Sequence, residues 1–587
     1  MGRHRSAGSA RSRGVAAWPL AAVGLVVLLA ASWFGWNSLR HTQQVQAATS
    51  QRCSSGTVTV TIAAAPEIAP ALDRLAANYT RQRHEVRDSC IRVHISSIAP
   101  ATVLAGLTQG WPSRLGPQPQ AWVPDGTQWT HRLSTQSPTL IGSPGRSIAT
   151  SQVVLAVPSP VYDAVSHGSA LAWSDVAPLS SGLHGWERYG HPNWGRFSVA
   201  IPDPATNPDS ALALQATLVG SSSTGAGPLT ESMLASAHAR SALATLTAAA
   251  PASTPKTTAA ALQILGKQNS LNAKTPFSSV PVSEVELYRY DKHVSPGAYV
   301  LSALMPAGAS PRIDFPFTTL AGPAVSDEQS MAAQVFAASL RQPGARKTLA
   351  AQGLQVPGDF PQPHDVARFR WASTTEPLRP SDAATERQLD AQWAAGSQAV
   401  TVFVDTSGSM LATDGSRQSR LAWVADGLRA HVASRTPGAL GLWQFAENLD
   451  GDQPYRQLVP LAPTALSHDS LTTAINGLRS SGPAQLYSSI AASYLSAIDY
   501  YELGKTNKVI VITSSANSGG IGTDTMRSLM ERSRRADHPI SVSIIAIGDQ
   551  PDTAVLGTVA REFHGTLSSI KGGQDFANAF DNALAAD

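Results

Sequence analysis

The sequence predicts an α/β protein built as two folded units behind an N-terminal apolar segment. Three observations predict it. Strand-like and helix-like apolar patterns alternate across residues 56–358 and again across 398–587, a charge-free stretch precedes both, and charged residues make up 14% of the chain against 43% apolar. Alternating β and α patterns mark a layered α/β sheet, and this apolar content is enough to bury cores. At 587 residues the length allows about three or four domains.

The chain opens with a basic tail, residues 1–16, carrying Arg3, Arg5, Arg11 and Arg13. These arginines account for the formal net charge of +3, leaving the remainder near neutrality and giving no sign of a nucleic-acid binder. Gly14 to Leu39 holds no Lys, Arg, Asp or Glu, and residues 17–37 are long enough to cross a bilayer as one helix, with Trp18, Trp33 and Trp36 near its ends. The basic flank should stay in the cytoplasm, which makes this a single-pass cell-membrane protein with its bulk extracytoplasmic. A signal peptide cleaved after Val45-Gln46-Ala47 is the alternative. The apolar run is long and that site lies well beyond it, which favours the anchor. Residues 38–55 then form a juxtamembrane segment.

Cys53 and Cys90 are the chain's two cysteines, one before the first soluble strand and one opening the second. In an oxidising compartment adjacent strands make a Cys53–Cys90 disulfide the default. No Cys-x-x-Cys pattern suggests redox catalysis.

From Gly56 the pattern runs strand (57–64), helix (69–83), strand (90–98), helix (101–109). Gln120 to Asp125 and Ser147 to Pro158 read as further strands. Phe197 to Pro204 reads as a strand leading into a helix at Asn207 to Leu214, and Pro281–Tyr290, Tyr299–Met305 and the helical Ser326–Gly353 follow. Ser221 to Thr258 is a low-complexity Ser/Ala/Thr/Gly stretch that reads as an exposed excursion. The order resembles the two-lobed, periplasmic-type solute-binding proteins of ABC transporters, which handle oxyanions, metals and small polar solutes. The likeness spans residues 56–358 and implies a ligand cleft between lobes. Ser96 and Ser97 before one helix, Asp125 in an acidic turn, and Asn207 and Ser210 at another helix start are the candidate ligand-binding residues. Unpaired amides at helix starts can bind an anion or polar group, and the same residue types also serve as ordinary N-caps.

Residues 359–397 are Pro-rich and polar, with little periodicity, and read as a linker that also holds Phe369 and Trp371.

Beyond it, Ala399 to Asp405 is an apolar run that stops at a carboxylate, followed by Thr406-Ser407-Gly408-Ser409. A β-branched run suits a central parallel strand whose carboxyl end opens on a binding crevice. Asp405, Ser407 and Ser409 form Asp-x-Ser-x-Ser, hard oxygens that suit Mg²⁺ or Mn²⁺. Hydrogen bonding to backbone amides at a strand-to-helix turn is the other role open to them. A helix at Ser419 to Ser434 and strands at Ala439–Asn448, Lys508–Thr513 and Ile540–Gly548 follow, with Phe563-His564-Gly565-Thr566 and a closing helix over Asp575–Ala585. This stretch, 398–587, resembles a von Willebrand factor type A (VWA) domain, a doubly wound fold with a metal-ion-dependent adhesion site. The resemblance implies a metal at Asp405, Ser407 and Ser409 and docking through a partner's carboxylate. Two positions depart from the family pattern: Ala484 stands where a Thr is usual, and Ser514 where an Asp is usual. The site is therefore a degenerate one of reduced charge.

No enzyme motif survives inspection. Gly504-Lys505-Thr506 lacks the first glycine of a phosphate loop, and neither His-Glu-x-x-His nor Gly-x-Ser-x-Gly occurs. The whole resembles membrane-anchored actinobacterial envelope proteins that fuse these two domains. The expectation is a non-enzymatic binding protein whose VWA domain docks an envelope or extracellular protein and whose inner domain takes a small polar solute or peptide. A receptor or sensor working with an ABC transporter is the alternative.

Overall fold

The computed structural model describes residues 32–33, 53–182, 185–221, 225, 227–251, 254–268, 271–272, 275–366, 369–372, 376–433, 438–451 and 453–586. The basic tail, the apolar span and the juxtamembrane segment lie outside the described residues except for 32–33 and 53–55. Among the described residues no helix is long and apolar enough to cross a membrane.

The first unit is a mixed sheet in the order β2-β3-β1-β4-β8-β5-β6, with β7 also paired to β5. Its strands are β1 (Gly56–Ala64), β2 (Glu85–Val86), β3 (Ser89–Ser97), β4 (Ala121–Val123), β5 (Ile141–Pro158), β6 (Val280–Ser283), β7 (Leu301–Leu304) and β8 (Arg312–Leu320). In β1, alternate residues Val58, Val60 and Ile62 are buried, and the helix Ala69–Arg81 presents Leu72, Ala76 and Tyr79 to the same core. Pro70, at the start of that helix, sets φ where no intrahelical donor is needed. Parallel β1 and β3 align Thr57 with Cys90, and the Cys53–Cys90 disulfide closes the base of this pair. With its ends 37 positions apart in sequence, such a bridge stabilises the fold by roughly 4 kcal/mol.

Strand β5 divides the unit into two lobes. Its first part pairs with β8, beside β4 and β1, whereas Val153 to Pro158 pair with β6 and β7. The chain passes to the second lobe along β5 and returns along β8.

The second unit is a six-stranded sheet of order β11-β10-β9-β12-β13-β14. It comprises β9 (Gln398–Asp405), β10 (Ala439–Asp450), β11 (Gln453–Pro463), β12 (Thr506–Thr513), β13 (Ile540–Ile547) and β14 (Leu567–Ile570). All neighbours are parallel except β10 and β11. Residues 399–405, 507–513 and 542–547 are buried throughout, as strands covered by helices on both faces must be. Lys508 is buried within β12 and donates to the carbonyls of Leu584 (2.6 Å) and Ala586, which fastens the closing helix Phe576–Ala585. The strand order places the topological switch between β9 and β12, where a doubly wound sheet opens its crevice.

Several expectations are corrected. Phe197 to Pro204 forms no strand but only a bridge, Val199 to Ser279. Pro202 and Pro204 supply no amide donor, while Phe197, Val199 and Ile201 still pack into the core. The low-complexity stretch is no exposed excursion: it holds the helices Glu231–Leu234 and Ala237–Ala248, capped by Thr230 and Ser236, with Leu234, Leu243 and Leu246 buried. Sequence reading missed β8, which contains Pro316. That proline faces Ser147 beside a register shift, where a missing donor costs least.

The segment read as a linker is partly packed. Phe369 meets Tyr288 edge-on and Trp371 lies tilted against it, Lys292 pairs with Asp365, and Glu284 accepts from the Ala372 amide at 2.6 Å. Residues Ala383–Gly396 then form a helix capped by Asp382, burying Leu389 and Trp393 against the first unit. It runs directly into β9.

Candidate binding sites

Two sets of polar side chains stand at carboxyl ends of strands, one in each unit. In the first unit β3, β1 and β4 end side by side. Just past β1, the Ala65 amide donates to the Val123 carbonyl at 2.8 Å, which sets Glu67 beside the turn holding Asp125. Asp125 is buried and accepts from Trp129 Nε1 at 2.8 Å. Burial, and then the neighbouring Glu67 charge, push its carboxyl well above the usual range.

The second lobe brings more carboxylates to the same place. Asp209, in the first turn of the helix Pro208–Gly220, is buried and held by the Ser283 amide, while its Oδ1 has no hydrogen-bond partner. Burial raises it well above the carboxylate range, and Glu286, Glu67 and Asp125 add to the rise in that order. Glu286, on the helix Glu284–Lys292, is pushed up to about 8 by burial and by Glu67, with Arg289 opposing. Arg289, one turn on, donates through Nη1 to the Pro66 carbonyl of the first lobe at 3.4 Å. Its Nη2, the Glu67 Oε2 and the fully buried Ser210 Oγ have no hydrogen-bond partner. The Ala65–Val123 and Arg289–Pro66 contacts bring the turns of Glu67 and Asp125 and the helix of Glu286 to the lobe boundary, where the charges of all three bear on Asp209.

The sequence-predicted residues divide. Asp125 stands in this group, and Ser210 follows Asp209 in the helix. Ser96 and Ser97 lie at the end of β3 opposite Ala63 and Ala64, and the helix after them, Pro100–Gln109, has Ala99 at its N-cap and no side-chain cap. Asn207 precedes its helix but does not cap it either, because its Nδ2 donates to the carbonyls of Asp203 and Lys256. Glu67, Asp209, Glu286 and Arg289 were missed. The available signals were Glu67 just beyond the β1 run, Asp209 beside Ser210, and the three-residue spacing of Glu286 and Arg289.

In the second unit Asp405 ends β9 at the switch point, fully buried. Its Oδ1 accepts from the Ser407 amide at 2.7 Å. Its Oδ2 accepts from Thr513 Oγ1 at 2.9 Å, the Ser514 amide at 3.1 Å and Ser515 Oγ at 2.7 Å. Ser407 and Ser409 stand 3.0 Å apart, and Ser409 lies 2.8 Å from Ser514. Ser515, which sequence reading missed, is the hub: its Oγ is 2.5 Å from Ser407 Oγ and 2.6 Å from Ser409 Oγ. The Ser514-Ser515 doublet after a buried strand was the signal for it. Ala484 places a buried methyl group nearby in sequence to the Gly482 turn, whose carbonyl accepts from Gly408.

This donor set does not fit a resident Mg²⁺ or Mn²⁺. A hydroxyl already stands at the focus of Asp405, Ser407 and Ser409, and the carboxylate is saturated by four donors. A hard divalent ion seeks several oxygen ligands with more than one negative charge among them. Among the described residues no group of three or more His, Cys, Asp or Glu side chains is placed to hold a metal ion.

A two-lobed α/β unit with strands passing between the lobes and carboxylates gathered where they meet has the architecture of a solute-binding protein. The chain belongs to the bacterial extracellular solute-binding proteins, whose family model matches residues 60–355. It is 27% identical over 581 residues to "Uncharacterized protein Rv1836c" of Mycobacterium tuberculosis, covering 97% of this chain and 82% of that protein. Among solved structures it is similar to the periplasmic binding protein P5PA, at 12% identity and a TM-score of 0.34, covering 57% of this chain and 98% of that one. A von Willebrand factor type A protein from Catenulispora acidiphila is also similar, at 18% identity and a TM-score of 0.27, covering 32% of this chain and 42% of that one.

Proposed function

We propose that this is a membrane-anchored, extracytoplasmic binding protein that captures a solute between the lobes of its first unit and docks another protein through its VWA unit. It acts by binding and not by catalysis. The observation that carries the solute reading is the set of partnerless polar atoms where the lobes meet, on Glu67, Asp209, Ser210 and Arg289. Buried polar atoms are seldom left unpaired in a finished structure, so a polar guest that pairs with them recovers their lost hydrogen bonds.

Docking at the VWA face is supported by a different feature. Leu411, in the turn Gly408–Leu411 directly after the serine cluster, is 58% exposed. An exposed apolar side chain beside a polar, well-ordered rim suits protein contact. Because the serine cluster is closed on itself, docking there is metal-independent.

The test is a thermal-shift screen of the full chain in detergent against oxyanions, sugars, amino acids, amines and divalent ions. A solute that raises the melting temperature, with the rise lost on Asp125→Asn, supports the receptor reading. A flat response across the panel overturns it. Millimolar Mg²⁺ or Mn²⁺ should leave the VWA transition where it is, and a rise abolished by Ser409→Ala would overturn metal-independent docking.

A further inference from the structure

We propose that the crevice is built for a small organic cation carrying two or more amino or guanidino groups, with Glu67, Asp125, Asp209 and Glu286 as its counter-charges. This rests on the reading of the first unit as a solute receptor and names the class of solute. Four carboxylates meet one guanidinium there, Arg289, whose Nη1 is occupied by Pro66. An oxyanion entering this group would find one guanidinium to pair with, and each of the four carboxyls that ionised would oppose it.

One unpartnered buried atom within the acidic group and one outside it point to a ligand. Asp209 is 6% exposed and keeps Oδ1 without a partner, and the neighbouring Ser210 is fully buried with a partnerless Oγ. Each such atom forgoes a hydrogen bond that water would give it in the unfolded chain. The carboxylates come from four separate segments: the loop after β1, the turn after β4, and the helices Pro208–Gly220 and Glu284–Lys292. They are not grouped to hold one metal ion. A ligand that distributes its charge over several nitrogen atoms matches this spread better than a point charge. Arg289 Nη2, also without a hydrogen-bond partner, would receive a carboxylate if the cation is a basic amino acid and would stay unmatched by a linear amine.

Without ligand, the carboxyls relieve their repulsion by keeping protons. Asp125 and Asp209 lie well above the carboxylate range and Glu286 near 8. The charged groups facing them are Glu67 from the first lobe and Arg289 from the second. A cation that replaces those protons releases them, so affinity rises with pH.

Isothermal titration of the full chain in detergent tests this with spermidine, putrescine, L-arginine and L-lysine, against sulfate, molybdate, L-glutamate and MgCl₂. Titrations run at pH 6, 7 and 8 in two buffers of different ionisation enthalpy. An amine or basic amino acid should bind, with a heat that depends on the buffer through proton release and a Kd at least tenfold lower at pH 8 than at pH 6. Asp209→Asn and Glu286→Gln should each weaken binding tenfold or more. Glu286 is partly exposed, so its variant keeps the test open even if the buried one misfolds. Preference for spermidine or putrescine over the amino acids identifies a linear amine, and the reverse order engages Arg289. Binding of an anion or Mg²⁺ in place of the amines overturns the cationic class while leaving the receptor reading intact. Amine binding that is insensitive to both variants overturns the site, and no binding by any class overturns the receptor reading as well.

Discussion

The lobe boundary of the first unit and the strand-end crevice of the second unit begin from the same plan, a carboxylate at the end of a buried strand, and end in opposite states. Asp405 takes hydrogen bonds from Ser407, Thr513, Ser514 and Ser515. Asp209 keeps an oxygen without any partner, and Glu67 does the same across the lobe boundary. A buried carboxylate surrounded by donors is part of the scaffold, because its charge is already compensated by fixed dipoles. One surrounded by other carboxylates is left short of positive charge and is poised to accept it. The difference lies in the neighbours that each strand end meets.

The largest effect should come from removing the saturated carboxylate. Asp405→Ala leaves two backbone amides and the Thr513 hydroxyl buried without an acceptor, and should lower the stability of the second unit by roughly 3–5 kcal/mol. Calorimetry of the full chain reads this as a large drop in one transition. A drop of the same size for Asp209→Asn would break the comparison, since that carboxylate contributes little to holding its fold.

The second effect is a pH dependence confined to the first unit. The raised values of Asp125, Asp209 and Glu286 mean that the folded chain favours their protonated forms. The sign follows: stability is full below the ordinary carboxylate range, where folded and unfolded chains both hold the protons. It declines as pH rises toward about 8, the value of Glu286. The loss should be on the order of 2 kcal/mol, seen as a falling melting temperature of the first transition, and Asp209→Asn should flatten it. Stability that rises over this interval would contradict the crowding of charges.

A smaller effect sharpens the link between the two regions. Arg132, on the first-lobe helix Thr127–Gln136, donates to the carbonyl of Ala205 in the second lobe at 2.5 Å. It also pairs with Asp390 at 2.6 Å. Asp390 lies on the helix that runs into β9, and burial pushes it up to about 6 despite that partner. Arg132→Met should cost about 1–2 kcal/mol by leaving Asp390 half-buried and unpaired. If this helix couples the units, the two calorimetric transitions should also separate further, and unchanged spacing would show the contact to be local.

Much of the fold was legible because burial leaves a local trace. The uninterrupted runs of β9, β12 and β13, and the Asp-x-Ser-x-Ser turn after β9, announced a doubly wound sheet with its crevice at Asp405. Pro316 hid β8, since a proline in an apolar run argues against a strand until a register shift is seen opposite it. Pro202 and Pro204 made the reverse error possible, because a buried but irregular segment carries the same apolar signature as a strand. The helices at 231–248 escaped because alanine, serine and threonine build a packed helix without the large side chains that make a stripe visible.

The sequence by itself determined the class of the fold, the cysteine pair and the position of the two strand-end carboxylates Asp125 and Asp405, since periodicity and abrupt polar stops depend only on neighbours along the chain. Tertiary structure alone decided what those carboxylates face. Glu67, Asp209 and Glu286 reach Asp125 from segments far apart in sequence, and Ser515 reaches Asp405 across the sheet. Electrostatic interaction depends on distance through space, and the crossing of β5 and β8 and the switch between β9 and β12 set those distances.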